Sequence, residues 1–289
     1  MLYPTAKDWR AASEKHVCLF AMSGLGKTYV SNMLREGGNW FHYSVDYRIG
    51  TRYMGEHIAD NFKAEAMKNP FLAELLRTDS IYVASNITFD NLAPLSTYLG
   101  KPGDPAKGGL TLAEYERRQA LHHEAERQST LDTVRFIDRA KSLYGYPNFI
   151  CDSSGSLCEI VDGENHKDSV LSVLSKHMLM LWIKGDDAHR EELIARFDRD
   201  PKPMCYQPAF LTDAWQHYCA ETGATEATAD PDDFVRWTYA RALAHRQPRY
   251  AAMAQWGVTI EGSDFEKISS EADFVDAVAE AIDRKVAAT

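Results

Sequence analysis

Six consecutive residues, Ser23-Gly24-Leu25-Gly26-Lys27-Thr28, set two glycines, a lysine and a hydroxyl in the order that a phosphate cradle needs. Glycines let the backbone turn sharply, so that its amides point inward at phosphate oxygens. A helix starting near Lys27 adds its positive N-terminal end. On that geometry Lys27 reaches the β- and γ-phosphates of ATP, and the Thr28 hydroxyl is a magnesium ligand. Ser23, Gly24, Leu25, Gly26, Lys27, Thr28 and Tyr29 are therefore the expected nucleotide-binding residues. The full GxxxxGK[ST] pattern begins with a glycine, where this chain has Ala21. A positive φ at that position would cost alanine about 1 kcal/mol or more.

Moving a γ-phosphoryl group takes positioning and charge neutralisation more than covalent chemistry. Three further segments carry charge where that could happen. Asp46 closes the second apolar run and could orient or deprotonate an acceptor hydroxyl; the plain alternative is a strand-end carboxylate satisfying nearby amides. Asp152 closes the third and is suited to magnesium, or to the Asx turn that Ser153-Ser154-Gly155-Ser156 would then continue. After the fourth run come Arg190, Arg196, Arg199 and Lys202. An arginine closing over phosphates contributes on the order of 10³ in rate, although a helix this charged also makes an ordinary solvated face.

These residues need strands and helices to hold them. Val17 to Met22 is a short apolar run entering the glycine turn, and Lys27 to Arg35 has helical spacing that Gly37-Gly38 stops. Further strands are expected at Phe41 to Val45, Pro147 to Asp152, His177 to Ile183 and Val258 to Ile260, with another at Ile81 to Ala84. Helices are expected at Leu110 to Leu143 (one long or broken), Ala188 to Arg199, Phe234 to Ala244 and Ala272 to Val286. Gly100 to Gly109 is a mobile loop by composition, and Pro208 to Pro231 an irregular or helical insertion. Strands alternating with helices imply a doubly wound, five-stranded parallel sheet, its site at the strands' carboxyl ends. The expected organisation is a single α/β domain over 1–289. A mainly helical acceptor-binding insertion spans 50–145, and a lid with a second insertion spans 188–235.

The chain has 289 residues, 45% hydrophobic and 26% charged, with 32 basic against 42 acidic side chains and a formal charge of -10. That balance argues against sequence-independent nucleic-acid binding, which depends on neutralising phosphates. No apolar run approaches the roughly 20 residues of a membrane helix, and Met1 to Arg10 has no signal-type stretch. The five cysteines form no CxxC pair, which fits reduced, buried thiols and a cytoplasmic setting. The ten histidines include no HExxH or other metal-ligand spacing.

The loop Ala21 to Thr28 with these segments resembles shikimate kinase and its relatives among the small P-loop kinases, within the P-loop NTPase superfamily. Val45-Asp46-Tyr47-Arg48-Ile49 is similar to that family's DxDxxI segment. Asp46 stands at its substrate-contacting aspartate, and Ser44 replaces the one that helps hold magnesium. Ser153-Ser154-Gly155 lies where the family has its glycine-rich substrate turn. Leu181 to Met204 is similar to its lid, with Arg196 as the lid arginine and Lys202 as the basic residue before a proline. Arg246-Gln247-Pro248-Arg249-Tyr250, with Ala254, resembles its RxPxYxxxA pattern, whose arginine binds the substrate carboxylate. The resemblance spans roughly residues 14–50, 145–206 and 240–285. It implies ATP and Mg²⁺ as cofactors, with Lys27, Asp46 and Arg196 catalytic. Asp46, Gly155 and Arg246 would bind substrate, and Thr28 and Asp152 the metal.

The expected activity is ATP-dependent transfer of a γ-phosphoryl group to a hydroxyl of a small, anionic metabolite, without nucleic acid or membrane partners. The rival is a P-loop ATPase or nucleotide-dependent switch working with a protein partner, which the two insertions could dock. A third option is nucleotide binding without catalysis.

Overall fold

The structure is a computed structural model and describes residues 1–288. Five strands form one sheet: β1 (His16–Phe20), β2 (Trp40–Ser44), β3 (Asn148–Asp152), β4 (Leu179–Lys184) and β5 (Val258–Glu261). Their order across the sheet is β2-β3-β1-β4-β5, and every pairing is parallel. The three inner strands are buried along almost their whole length. Parallel strands covered on both faces read as continuous apolar runs, which is why these segments lack polar alternation. The fold is thus a doubly wound α/β sheet flanked by helices. The chain leaves β1 toward β2 on one side and later reaches β4 on the other. The carboxyl ends of β1 and β3 therefore border the crevice where this architecture binds ligands.

The chain divides into two compact units. The first comprises Met1–Val45, Glu126–Asp200 and the chain from Arg236 onward, and contains the whole sheet. The second comprises Asp46–Ala125 and Pro201–Val235, drawn from the two segments read as insertions. Its apolar core includes Tyr115, Tyr206, Trp215, Tyr218 and Phe234, the last with its ring edge-on to Trp215 and Tyr218.

Several elements differ from expectation. The second strand stops at Ser44, and Val45–Arg48 is already helical, so Asp46 sits in a helical first turn. Ile81 to Ala84 forms no strand, since it has no ladder partner despite its β-branched composition. The long helix takes the broken form that was one of the two expected, as Leu112–Leu131 and Thr133–Tyr144, interrupted at Asp132. Gly100 to Gly109 is held rather than loose. Its backbone bridges Pro102 to Leu110, and Lys101 Nζ donates to Asp232 at 2.6 Å and to the Pro201 carbonyl at 2.7 Å. Pro208–Thr222 is a regular helix, and the expected Phe234 helix extends over Pro231–Ala254, passing through Pro248. The five cysteines are free, four of them buried. No helix among the described residues is long and apolar enough to cross a membrane.

Candidate functional site

The glycine turn between β1 and the helix Lys27–Glu36 adopts left-handed backbone at Gly24 (φ 88°) and Gly26 (φ 78°). Glycine is the residue that enters this region without a Cβ penalty. Gly26 is the N-cap and has no side chain to offer, so the first-turn amides receive no side-chain acceptor. Such a helix start is suited to an anion. Ala21 needs no special conformation. Among the described non-glycine residues only Asp79 has positive φ, so the anticipated strain at Ala21 does not arise. Ala21 is instead fully buried at the end of β1.

Lys27 folds back into the turn and is 7% exposed, its Nζ donating to the carbonyls of Ala21 (3.3 Å) and Met22 (3.4 Å). Thr28 Oγ1 donates to Asp152 Oδ2 at 2.6 Å. Sheet register explains the meeting: Asp152 pairs with Leu19 of β1 on one side and Ser44 of β2 on the other. A carboxylate at the end of β3 is therefore a direct neighbour of the glycine turn, whereas β2, leading to Asp46, lies one strand further away. His42 Nε2 of β2 approaches the same Asp152 oxygen at 3.8 Å. Tyr29 follows Thr28 in the helix's first turn, but its side chain is 66% exposed.

Arg196 comes to the glycine turn from the helix Asp187–Arg199. A Cβ built on Gly24 would lie 2.6 Å from Arg196 Nη2 and 2.9 Å from Leu193 Cδ2, so the guanidinium rests on the turn itself. Both ends of this helix are anchored. At the start, Asp186 accepts from the His189 amide, and the His189 ring lies between Asp186 (2.7 Å) and Glu266 (3.0 Å). The bond to Glu266 chiefly, and then that to Asp186, raise the histidine pKa above its usual value against the effect of burial. At the end, Phe197 stacks on Tyr239 with centroids 3.8 Å apart and planes 4° from parallel. Of the other basic residues expected here, Arg190 pairs with Asp187, Arg199 is exposed, and Lys202 belongs to the second unit.

The Ser153–Ser156 turn packs against the glycine turn. A Cβ on Gly155 would collide with Ser23 Oγ as that side chain stands, so this glycine suits the close approach of the two turns. Ser154 and Ser156 hydroxyls both donate to the fully buried Glu126, the second at 2.8 Å. Arg246, expected to meet an acceptor carboxylate, meets one belonging to this chain. Its Nε donates to Glu159 Oε1 at 2.6 Å, and Nη1 donates to the Gly155 carbonyl at 3.2 Å. With 3% exposure it is a buried ion-pair partner; burial opposes its charge, but Glu159 together with Cys158 and Tyr250 outweighs that and raises its pKa. The same helix brings Tyr250, whose hydroxyl lies 2.8 Å from the Gly155 carbonyl and 3.2 Å from that of Ala21.

The structure therefore brings Ser23, Gly24, Lys27, Thr28, Asp152, Gly155 and Arg196 together in the first unit. Asp46 opens the second unit, half-buried just beyond β2. Glu126, Glu159 and Tyr250 were not anticipated. Tyr250 lies inside the RxPxY segment, a usable signal. Glu126 sits among other charged residues of a helix, and nothing local distinguishes it from them.

No protein-family profile matches the chain. No curated protein matches it. Among solved structures it is similar to shikimate kinase from Bacteroides thetaiotaomicron, at 12% identity over 94% of this chain and 98% of that one, with a TM-score of 0.38. What the site can do is accordingly read from its own residues.

Proposed function

We propose that this protein binds ATP at the turn Ser23–Thr28 and transfers its γ-phosphoryl group to a hydroxyl of a small metabolite. The observation that carries this reading is the 2.6 Å contact of Thr28 with Asp152, beside a buried lysine at a helix N-terminus capped only by glycine. A hydroxyl and a carboxylate are hard oxygen donors, and magnesium accepts one or two such ligands while keeping several waters. Thr28 and Asp152 thus fit Mg²⁺, which when bound supplies charge neutralisation at the phosphates. Asp152 would fill the role left open by Ser44, its register partner.

Within this reading the loop amides and Lys27 bind and orient the phosphates, and Arg196 neutralises charge that develops in transfer. The anchors of the lid helix fix that arginine in place rather than leaving it to find the site. Asp46, at the head of the second unit, is proposed to orient the acceptor hydroxyl and take its proton. The acceptor in this reading is a small anionic metabolite.

A panel of hydroxyl-bearing metabolites, assayed for phosphate transfer from ATP with Lys27→Ala in parallel, tests the proposal. The expected result is transfer to at least one acceptor by the wild-type protein and none above background by the variant. Hydrolysis directed only to water, stimulated by a protein and by no metabolite, would identify the ATPase switch instead.

A further inference from the structure

The carbonyl of Ala21 is buried beneath the phosphate loop and has two donors in reach, Lys27 Nζ at 3.3 Å and Tyr250 Oη at 3.2 Å. The neighbouring Met22 carbonyl has Lys27 Nζ at 3.4 Å. An ammonium group has three N–H donors. Once two of them engage β- and γ-phosphate oxygens, one remains for two carbonyls. A buried carbonyl left without a donor is costly, so the loop needs a replacement when the lysine turns to its ligand.

Tyr250 is built to provide it. Its ring is 1% exposed and stacks on Phe20 of β1, which fixes the hydroxyl between the two carbonyls. The phenol has one proton, and the shorter contact is to Gly155 at 2.8 Å. Gly155 has a second donor, Arg246 Nη1 at 3.2 Å, itself held by Glu159. Rotation about the phenolic C–O bond therefore moves the proton from Gly155 to Ala21 without shifting a heavy atom. Burial pushes the phenol pKa well above its ordinary value, so the proton remains available.

Resting on the phosphate-site reading above, we propose that Tyr250 is a positioning residue for the phosphate loop. Its hydroxyl donates to Gly155 while Lys27 covers Ala21, and to Ala21 when Lys27 engages phosphate. Arg246 keeps Gly155 satisfied in the second state. Every buried carbonyl at the junction then has a donor both with and without ligand. Lys27 can leave Ala21 without orphaning it.

The test is a double-mutant cycle of Tyr250→Phe and Lys27→Met, read by thermal unfolding without ligand and by calorimetric titration with MgATP. In the otherwise wild-type protein Tyr250→Phe should change Tm little, because Lys27 and Arg246 still cover the two carbonyls. It should weaken MgATP binding on the order of tenfold, the usual effect of one buried carbonyl left unpaired. In the Lys27→Met background, where Tyr250 is the remaining donor to Ala21, the same change should lower Tm by about 3 °C more than in wild type. A merely structural tyrosine would give equal Tm losses in both backgrounds and unchanged MgATP affinity, and that result overturns the proposal while leaving the site reading intact. Failure of the wild-type protein to bind MgATP overturns the site reading and the proposal with it.

Discussion

At Gly155 the two turns approach so closely that a Cβ there meets Ser23 Oγ. Gly155→Ala should therefore push Ser23 outward and distort the phosphate loop. MgATP affinity measured by titration should fall, and Ser23→Gly in the same chain should recover most of it. No loss in Gly155→Ala would mean that the serine rotates away freely and that the contact does not set the loop's shape. The Arg246–Glu159 pair makes a different demand. Both side chains are almost wholly buried, and removing one charge strands the other. Glu159→Gln should destabilise the protein by about 3–5 kcal/mol, visible as a fall in Tm and in the urea midpoint. A Tm within a degree of wild type would show that Arg246 finds another partner.

The helix Asp187–Arg199 is anchored at both ends, and its Leu193 and Arg196 lie against Gly24. Its first anchor, His189, is a titrating one. Folding raises the His189 pKa, through its bonds to Glu266 and Asp186, above the ordinary 6.5. A raised pKa means that the contribution to stability is full below the unfolded value and is lost as pH rises through the folded value. The stability advantage of wild type over His189→Gln should accordingly be largest below pH 6.5 and should shrink on the alkaline side. An advantage that grows with pH would contradict the assignment.

Elements of this kind also show what the sequence could reveal. The five strands and the helix after the glycine turn were legible because each apolar run is short and bounded by charge or glycine. The helix Asp187–Arg199 was legible from its run of charged residues after the fourth strand. Ile81 to Ala84 misled because β-branched residues mark a strand only when a neighbour pairs with them, and pairing is not local. The Gly100 to Gly109 loop misled for the opposite reason. Its composition suggests mobility, but Lys101 to Asp232 and the Asp104 amide to the Ala229 carbonyl hold it through partners remote in sequence.

For the whole molecule, two segments separated by 75 residues of sheet-bearing chain (126–200) assemble into one compact unit, while the glycine turn stays within the other. Periodicity reads segments one at a time, so it gave no sign that these two stretches share a core of Tyr115, Tyr206, Trp215 and Phe234. It found Lys27, Thr28, Asp152 and Arg196 as separate candidates, and sheet order was needed to make Thr28 and Asp152 neighbours. The buried layer beneath them, Glu126, Glu159 and Tyr250, gave little sign because buried charges and hydroxyls look like surface ones until their partners are known. At this scale Arg196→Ala should lower the rate of phosphoryl transfer on the order of 10³ with the fold unchanged, measured by steady-state kinetics and Tm together. A rate within threefold of wild type would place the lid outside the chemistry.

Calorimetric titration of the wild-type protein and of Lys27→Ala with ATP, with and without magnesium, addresses the central claim most directly. The wild-type protein should bind one ATP, more tightly with magnesium present. Lys27→Ala should lose that binding while unfolding at nearly the same temperature. Equal affinity in the two proteins, or no binding in either, would contradict the assignment of Ser23–Thr28 as a nucleotide site.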